Sequence, residues 1–139
     1  MRKQYFVDTG FLIALAAPRD QLHDQALSVA QRVREDEASL LITRAVLLEL
    51  GAALSGLRHR ATAADMLRAI EADPAVEIVA LSDTLYSDAL EMFAQHRDKE
   101  WSLTDCLSFV VMRARGLTEA LAADHHFEQA GFTVLLHPA

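Results

Sequence analysis

Short apolar runs alternate with longer amphipathic segments along the whole sequence. The runs have the length of buried strands and lie at residues 5–7, 39–42, 76–79, 120–123 and 133–136. Between them apolar residues recur at helical spacing, as Ala26, Val29 and Val33 do. This alternation is typical of a parallel sheet with helices on both faces. We therefore predict an α/β fold in which residues 1–139 form a single three-layer α/β/α domain with about five parallel strands.

Local signals predict where the helices begin and end. The side chains of Thr43, Ser82 and Thr104 can each accept a hydrogen bond from the first turn of a helix. Gly116 is a typical terminator, because glycine adopts the left-handed conformation that often ends a helix. The predicted helices cover about residues 10–17, 20–33, 43–55, 57–73, 83–93 and 105–115.

The composition restricts the class of protein. Of the 139 residues, 52% are hydrophobic and 24% charged, as in ordinary globular domains. The net charge of −7 argues against a protein that coats nucleic acid, although it allows an enzyme that cuts it. The single cysteine, Cys106, excludes an intrachain disulfide, is expected to pack as a small hydrophobe and points to the cytoplasm. We predict no membrane span and no signal peptide.

Four carboxylates stand beside or within apolar segments. Asp8 and Asp124 follow predicted strands, Asp105 lies in the first turn of a predicted helix, and Glu49 interrupts an apolar stretch. A carboxylate against an apolar core is costly unless it is paired or binds a metal. Ligands of parallel sheets bind beyond the carboxyl ends of the strands. We therefore expect Asp8, Asp105 and Asp124 at that edge, with Glu49 reaching it from a neighbouring helix.

Five segments, in order, resemble conserved segments of PIN domains. A strand ends in an aspartate followed by a hydroxyl residue, a helix carries aspartate and histidine, and three further segments carry the remaining acids. These segments read FVDTGFLIAL, DQLHDQA, TRAVLLEL, LTDCLSF and AADHHF. Each motif alone is weak, whereas five in sequence are specific. The short chain most resembles VapC-type toxins, the ribonuclease halves of bacterial toxin–antitoxin pairs. In the last segment alanine precedes Asp124, where threonine or asparagine is commoner in the family.

The resemblance implies a metal-dependent endoribonuclease that hydrolyses RNA phosphodiester bonds. Asp8, Glu49, Asp105 and Asp124 are then its catalytic and metal-binding residues. Mg²⁺ or Mn²⁺ is the expected cofactor, because hard cations prefer oxygen ligands. Asp8 and Asp105 are the expected direct ligands. Glu49 and Asp124 are expected to act through water or to orient the nucleophile.

Several other polar side chains have both a structural and a catalytic interpretation. Hydroxyls of Thr9 and Thr104 are candidates for holding water or phosphate oxygens, and Thr104 is also interpreted as a cap. His23 is expected to bond a backbone group. His125 and His126 resemble metal ligands, but histidine suits softer metals than Mg²⁺.

Further candidates lie outside the four acids. Asp98 and Glu128 are candidates for an additional acid at the site. Trp101 is expected to pack against other side chains, with stacking on a nucleic-acid base as the alternative. Arginine forks match phosphate geometry, although a solvated face is an equal interpretation. The candidate arginines are Arg44, Arg58, Arg60, Arg113 and Arg115.

The resemblance also implies partners. A small cognate antitoxin would cover apolar surface on the helices between Thr43 and Ile70 and could place an arginine in the acidic pocket. Leu54, Leu57 and Met66 are candidate contacts, with ordinary core positions as the alternative. A homodimer is expected on the same grounds.

Other functions remain as alternatives. A PIN nuclease that is not a toxin, or a catalytically silent RNA-binding PIN module, would have much the same sequence. A haloacid-dehalogenase-type phosphatase needs a second aspartate where this chain has Gly10, and a receiver domain needs an extra acidic pair and a late lysine. Those two classes are therefore disfavoured.

Overall fold

The computed structural model describes residues 2–138 and contains the predicted parallel α/β architecture. Five strands form one sheet: β1 (Gln4–Val7), β2 (Ser39–Thr43), β3 (Val76–Val79), β4 (Glu119–Leu121) and β5 (Thr133–Val134). Their spatial order is β3-β2-β1-β4-β5, and every neighbouring pair is parallel. Seven helices connect them: α1 (Thr9–Ala16), α2 (His23–Glu35), α3 (Arg44–Ala53), α4 (Arg60–Ala72), α5 (Asp83–Gln95), α6 (Leu103–Arg115) and α7 (His125–Gln129).

The strand order places the helices in two layers. The connections from β1 to β2 and from β2 to β3 run toward one edge of the sheet, whereas those into β4 and β5 run toward the other. Crossovers between parallel strands are right-handed. Helices α1 to α4 therefore cover one face and α5 to α7 the opposite face, in agreement with the contacts between α1 and α2, α3 and α4, and α5 and α6. The three-layer prediction is confirmed.

The core is a continuous apolar layer on both sides of the central strands. Phe6, Leu41 and Leu121 are fully buried. Cys106 is also fully buried and is a free thiol, as predicted. Trp101 packs edge-on against Phe109 with 5.0 Å between ring centroids, which confirms its packing role. Within residues 2–138, no helix is long and apolar enough to cross a membrane.

Some element boundaries differ from the prediction for local reasons. The second helix begins at His23 rather than at Asp20, because the Asp20 carboxylate accepts a hydrogen bond from the N–H of Leu22 in a preceding turn. The fourth helix begins at Arg60, since Gly56 to His59 form a turn. Thr43 and Ser82 cap helices as predicted, and Gly116 ends α6 at a φ of 68°.

The predicted cap at Thr104 is wrong. Ser102 caps α6 instead: its hydroxyl accepts a hydrogen bond from the N–H of Asp105, and its own N–H donates to the Asp105 carboxylate. This reciprocal arrangement is a capping box, in which aspartate replaces the usual glutamate or glutamine. Thr104 is therefore already inside the first turn of the helix.

Candidate active site

Asp8 lies at the point where the strand order reverses. Strands β1 and β4 are neighbours, yet the connections that follow them leave in opposite directions. Such a reversal opens a crevice at the carboxyl ends of the strands, where ligands of α/β folds bind. Asp8 directly follows β1, and Asp124 follows β4 after two alanines. The fold thus places the first and fourth candidate acids on the two sides of one crevice.

The Asp8 carboxylate is buried without serving as a helix cap. The residue occupies the N-cap position of α1, but its side chain makes no cap hydrogen bond, and it is only 8% exposed. Burial raises the pKa of Asp8 to about 7. The backbone N–H of Thr9 opposes that rise, while the negative charges of Asp105, Glu49 and Asp124 add to it. Asp8 is therefore close in space to all three other acids, and no ion pair with its charged form is seen among residues 2–138.

Asp105 is held by α6 and by a histidine. Its Oδ2 accepts hydrogen bonds from the N–H of Ser102 at 3.0 Å and from the Nδ1 of His126 at 3.1 Å. Its side chain is only 12% exposed. Both bonds use the same oxygen, which leaves Oδ1 as the atom for a further ligand.

Asp124 caps the short helix α7. Its Oδ1 accepts a hydrogen bond from the N–H of His126 at 2.9 Å, and its Oδ2 lies 3.3 Å from the Nδ1 of the same residue. Phe127 anchors α7, because it is fully buried and packs edge-on against Phe109. Asp124 therefore combines a structural cap with a position facing the crevice.

Glu49 reaches the crevice from α3. Its side chain is exposed, and it lines the same cavity as the three aspartates. Leu47 and Leu50, on either side in sequence, are buried in the core. The helix thus presents one face to the core and Glu49 to the cavity, as the sequence predicted.

The two candidate threonines differ in placement. Thr9 lines the cavity, is 4% exposed, and has a buried hydroxyl without a hydrogen-bond partner among the described residues. Thr104 is not among the cavity-lining residues, and its carbonyl accepts a hydrogen bond from the hydroxyl of Ser108. The structure therefore brings Thr9, but not Thr104, to the candidate site.

The cavity is strongly acidic. Its volume is about 670 Å³, and no lysine or arginine among residues 2–138 lines it. Six carboxylates do so: Asp8, Asp20, Glu49, Glu100, Asp105 and Asp124. Carboxylate oxygens are the ligands that hard divalent cations prefer. Together with the unpaired Thr9 hydroxyl, this donor set fits Mg²⁺ or Mn²⁺.

Sequence reasoning missed two acidic contributors to the cavity, Asp20 and Glu100, whereas His126 had been considered as a possible ligand. Asp20 lies in the segment DQLHDQA, which resembles a PIN-domain segment, and Glu100 lies in a polar loop. Neither acid is flanked by an apolar run, which was the feature used to select candidate acids. The open candidates Asp98 and Glu128 do not line the cavity, and Asp98 pairs with Lys99.

The histidines divide into structural and site-facing residues. The Nδ1 of His23 lies 2.7 Å from the carbonyl oxygen of Ala14, which confirms its structural role. His126 lines the cavity, whereas the His125 side chain is 71% exposed. In the described part of the chain, Asp124, His125 and His126 are the only set of three potential ligands whose atoms all lie within 4.8 Å of one another. The four candidate carboxylates therefore surround a wider space.

The candidate arginines lie away from the cavity. Arg44 pairs with Glu71, and Arg115 forms a two-bonded pair with Glu77. Arg60 donates to the carbonyl of Ser55, and Arg113 to the carbonyl of Ala130. These contacts favour the surface interpretation of those side chains over a direct role in the cavity.

Comparison with known proteins identifies the family. Residues 5–133 match the PIN domain. The chain belongs to the PIN domain family, as its sequence resemblance predicted. It is 32% identical over 127 residues to the 23S rRNA-specific endonuclease VapC20 of Mycobacterium tuberculosis, a match that covers 91% of this chain and 94% of that protein.

Solved structures show the same fold. The crystal structure of Mycobacterium tuberculosis VapC20, described as a sarcin–ricin loop cleaving toxin, superposes with a TM-score of 0.80 at 31% identity, covering 93% of this chain and 96% of that one. VapBC2 from Rickettsia felis, bound to a promoter DNA fragment, gives 0.68 at 15% identity, covering 94% and 96%. FitAcB from Neisseria gonorrhoeae gives 0.62 at 15% identity, covering 94% and 95%. At such low identity the last two show a shared fold alone.

Proposed function

We propose that this PIN domain is a Mg²⁺- or Mn²⁺-dependent endoribonuclease and the toxin of a type II toxin–antitoxin pair. The observation that carries the proposal is the convergence of Asp8, Glu49, Asp105 and Asp124 on one acidic cavity at the reversal of strand order. An acidic cavity repels a phosphate backbone unless a cation intervenes. Binding of a divalent cation would therefore allow RNA to enter the cavity, and the four acids would act together as its ligands.

Each residue has a distinct part in phosphodiester hydrolysis. A bound divalent cation supplies a water of lowered pKa and neutralises charge on the phosphate and the leaving oxygen. Asp8 and the Oδ1 of Asp105 would hold the cation. Glu49 and Asp124 would orient the attacking water or hold the cation through water. The Thr9 hydroxyl, which has no partner in the described chain, donates to a phosphate oxygen or to a water.

The proposed substrate is 23S ribosomal RNA, cut within the sarcin–ricin loop. The support is the 32% identity to a 23S rRNA-specific endonuclease, which extends over 91% of this chain. A structure described as that of a sarcin–ricin loop cleaving toxin supports the same target.

Cleavage of purified ribosomes tests this substrate. Ribosomes incubated with the protein and Mg²⁺ are expected to acquire one new 5′ end in that loop, detected by primer extension. The Asp65→Asn variant, changed on the exposed side of α4, is the matched control and is expected to cut equally. An intact loop beside cleavage of another RNA would refute the target but keep the nuclease. The catalytically silent alternative instead requires RNA binding without any cleavage.

The antitoxin proposal is supported by apolar surface near α3 and α4. Leu57 is 97% exposed and Leu48 is 64% exposed, so both are available to a partner. Met66 is partly buried. Leu54 is buried in the core, so its alternative interpretation as a core residue is the correct one. Co-expression with the product of the adjacent gene tests the pairing: a stable complex with Leu57→Ser as strong as with the parent would exclude this surface.

A homodimer is proposed through a second apolar surface. Tyr86, Leu90 and Phe93 recur at helical spacing along α5, and each is nearly half exposed. Light scattering of the purified chain tests it. A dimer that becomes a monomer in Phe93→Asp supports this surface, and a monomeric parent excludes it.

A further inference from the structure

His126 contacts two of the four candidate acids with a single nitrogen. Its Nδ1 lies 3.1 Å from the Oδ2 of Asp105 and 3.3 Å from the Oδ2 of Asp124, and its side chain is only 16% exposed. An ionised carboxylate can only accept hydrogen bonds. Nδ1 must therefore carry a proton, which it donates to the Oδ2 of Asp105, while the Oδ2 of Asp124 lies close enough for an electrostatic contact with the same N–H.

The two acids come from separate elements. Asp105 belongs to the first turn of α6, whereas Asp124 caps α7. Two carboxylates at one side of a cavity repel each other. The His126 Nδ1–H, which is hydrogen-bonded to Asp105 and lies 3.3 Å from Asp124, offsets that repulsion. Each acid also accepts a backbone hydrogen bond, Asp105 from Ser102 and Asp124 from His126.

The bonds also select which oxygens face the cavity. Both His126 contacts and the Ser102 bond use Oδ2 atoms. The Oδ1 of Asp105 is left for a cation. A change at His126 would let the Asp105 carboxylate rotate or move away from Asp124, which would alter the position of that Oδ1.

We propose that His126 is a positioning residue whose Nδ1–H holds the Asp105 and Asp124 carboxylates in the arrangement that binds a divalent cation. This inference rests on the proposed function. Groups that hydrogen-bond a metal ligand typically contribute 10- to 100-fold to metal affinity. The exposed His125 makes only a 3.5 Å contact with Asp124 and is not assigned a positioning role.

Mn²⁺ binding to the full chain without RNA tests the proposal. Free Mn²⁺ is followed by electron paramagnetic resonance during titration of the parent and of three variants at position 126. His126→Asn keeps a donor near the Nδ1 position, His126→Gln places it near Nε2, and His126→Ala removes it. We expect the alanine and glutamine variants to bind about tenfold more weakly or worse, and asparagine to restore most of the affinity. His125→Ala is the control and is expected to bind as the parent does.

Several outcomes would overturn the proposal. Parent-like affinity in His126→Ala, or an asparagine variant as weak as alanine, would remove the role of the Nδ1 donor. An equal loss in His125→Ala would show a general effect of α7. If the parent binds no Mn²⁺, both this inference and the proposed function fail, whereas Mn²⁺ binding unaffected by position 126 leaves the proposed function intact. Thermal melts in chelator identify misfolded variants, and the asparagine–glutamine comparison then decides.

Discussion

The backbone N–H of Asp8 donates a hydrogen bond of 3.1 Å to the carbonyl oxygen of Leu121. This bond continues the pairing of β1 with β4 by one residue, at the point where the two strands end and lead toward α1 and α7. The ends of the two strands are therefore fixed side by side. The backbone of Asp8 is therefore placed by strand pairing, and its carboxylate lies buried beside the cavity.

Replacement of the Asp8 carboxylate is expected to raise the stability of the metal-free protein near pH 8 while abolishing RNA cleavage. The pKa of Asp8 is raised from 3.8 to about 7. Between those values the unfolded chain has released the proton that the folded chain retains, so the native state loses stability as the pH rises from about 4 through 7. Asp8→Asn removes this effect. The metal-free variant is expected to melt higher than the parent near pH 8 and equally near pH 4, although it no longer cleaves RNA.

Melting curves in chelator across this pH range measure the difference. Asp65→Asn, at an exposed position, is the control and is expected to follow the parent at every pH. An Asp8→Asn protein that is less stable than the parent near pH 8 would show that the carboxylate stabilises the fold by itself.

Thr9 and Thr43 are buried threonines at strand-to-helix junctions, and their replacement by valine is expected to have opposite effects on stability. The Thr43 hydroxyl accepts a hydrogen bond from the N–H of Val46, so Thr43→Val is expected to cost about 1 kcal/mol. The Thr9 hydroxyl is buried without a described partner, and Thr9→Val is expected to leave the metal-free protein as stable or more so. Only Thr9→Val is expected to slow cleavage. Denaturant unfolding and a cleavage assay provide the two readouts, and equal destabilisation of both variants would refute the distinction.

Two serine caps offer a second matched pair. Ser82 and Ser102 each accept a hydrogen bond from the third residue of a helix, so either alanine variant is expected to lose about 1 kcal/mol. Only Ser102 exchanges bonds with a candidate ligand, Asp105. Ser102→Ala keeps the backbone N–H bond to the Asp105 carboxylate but loses the hydroxyl that accepts from the Asp105 N–H, so it is expected to weaken Mn²⁺ binding severalfold, while Ser82→Ala binds as the parent does. Identical Mn²⁺ affinities in the two variants would mean that the cap does not position Asp105.

Glu49 provides a test of function without a stability effect. Its side chain is exposed and lies on the cavity, so Glu49→Gln is expected to leave the melting temperature nearly unchanged. Cleavage is expected to fall at least tenfold, as for a residue that orients a nucleophile. Glu71→Gln, which breaks an exposed ion pair with Arg44, is the comparison and is expected to retain activity. Full activity in Glu49→Gln would remove this residue from the site.

The sequence alone was sufficient to predict those features of the fold and the site that depend on local residue patterns. Alternating apolar runs predicted five parallel strands, and the rule that ligands bind beyond strand ends brought Asp8 and Asp124 together. Glu49 was expected from a neighbouring helix, and α3 provides it. Each of these expectations required only periodicity and the position of an acid within it.

The remaining features depend on contacts between distant segments. Helix α7 has five residues, too few for helical periodicity to show. Without α7, neither the cap at Asp124 nor the orientation of His126 toward Asp105 could be foreseen. Ser102, rather than Thr104, could have been predicted as the cap of α6 from the sequence, because the spacing of Ser102 and Asp105 is that of a capping box.

The most direct test of the account is RNA cleavage by the purified chain and by Asp8→Asn, each with Mg²⁺ and with chelator. We expect cleavage by the parent in Mg²⁺, none in chelator, restoration when Mg²⁺ or Mn²⁺ is added back, and no cleavage by Asp8→Asn under any of these conditions. Cleavage that persists in chelator, or an Asp8→Asn protein that cuts as fast as the parent, would contradict it.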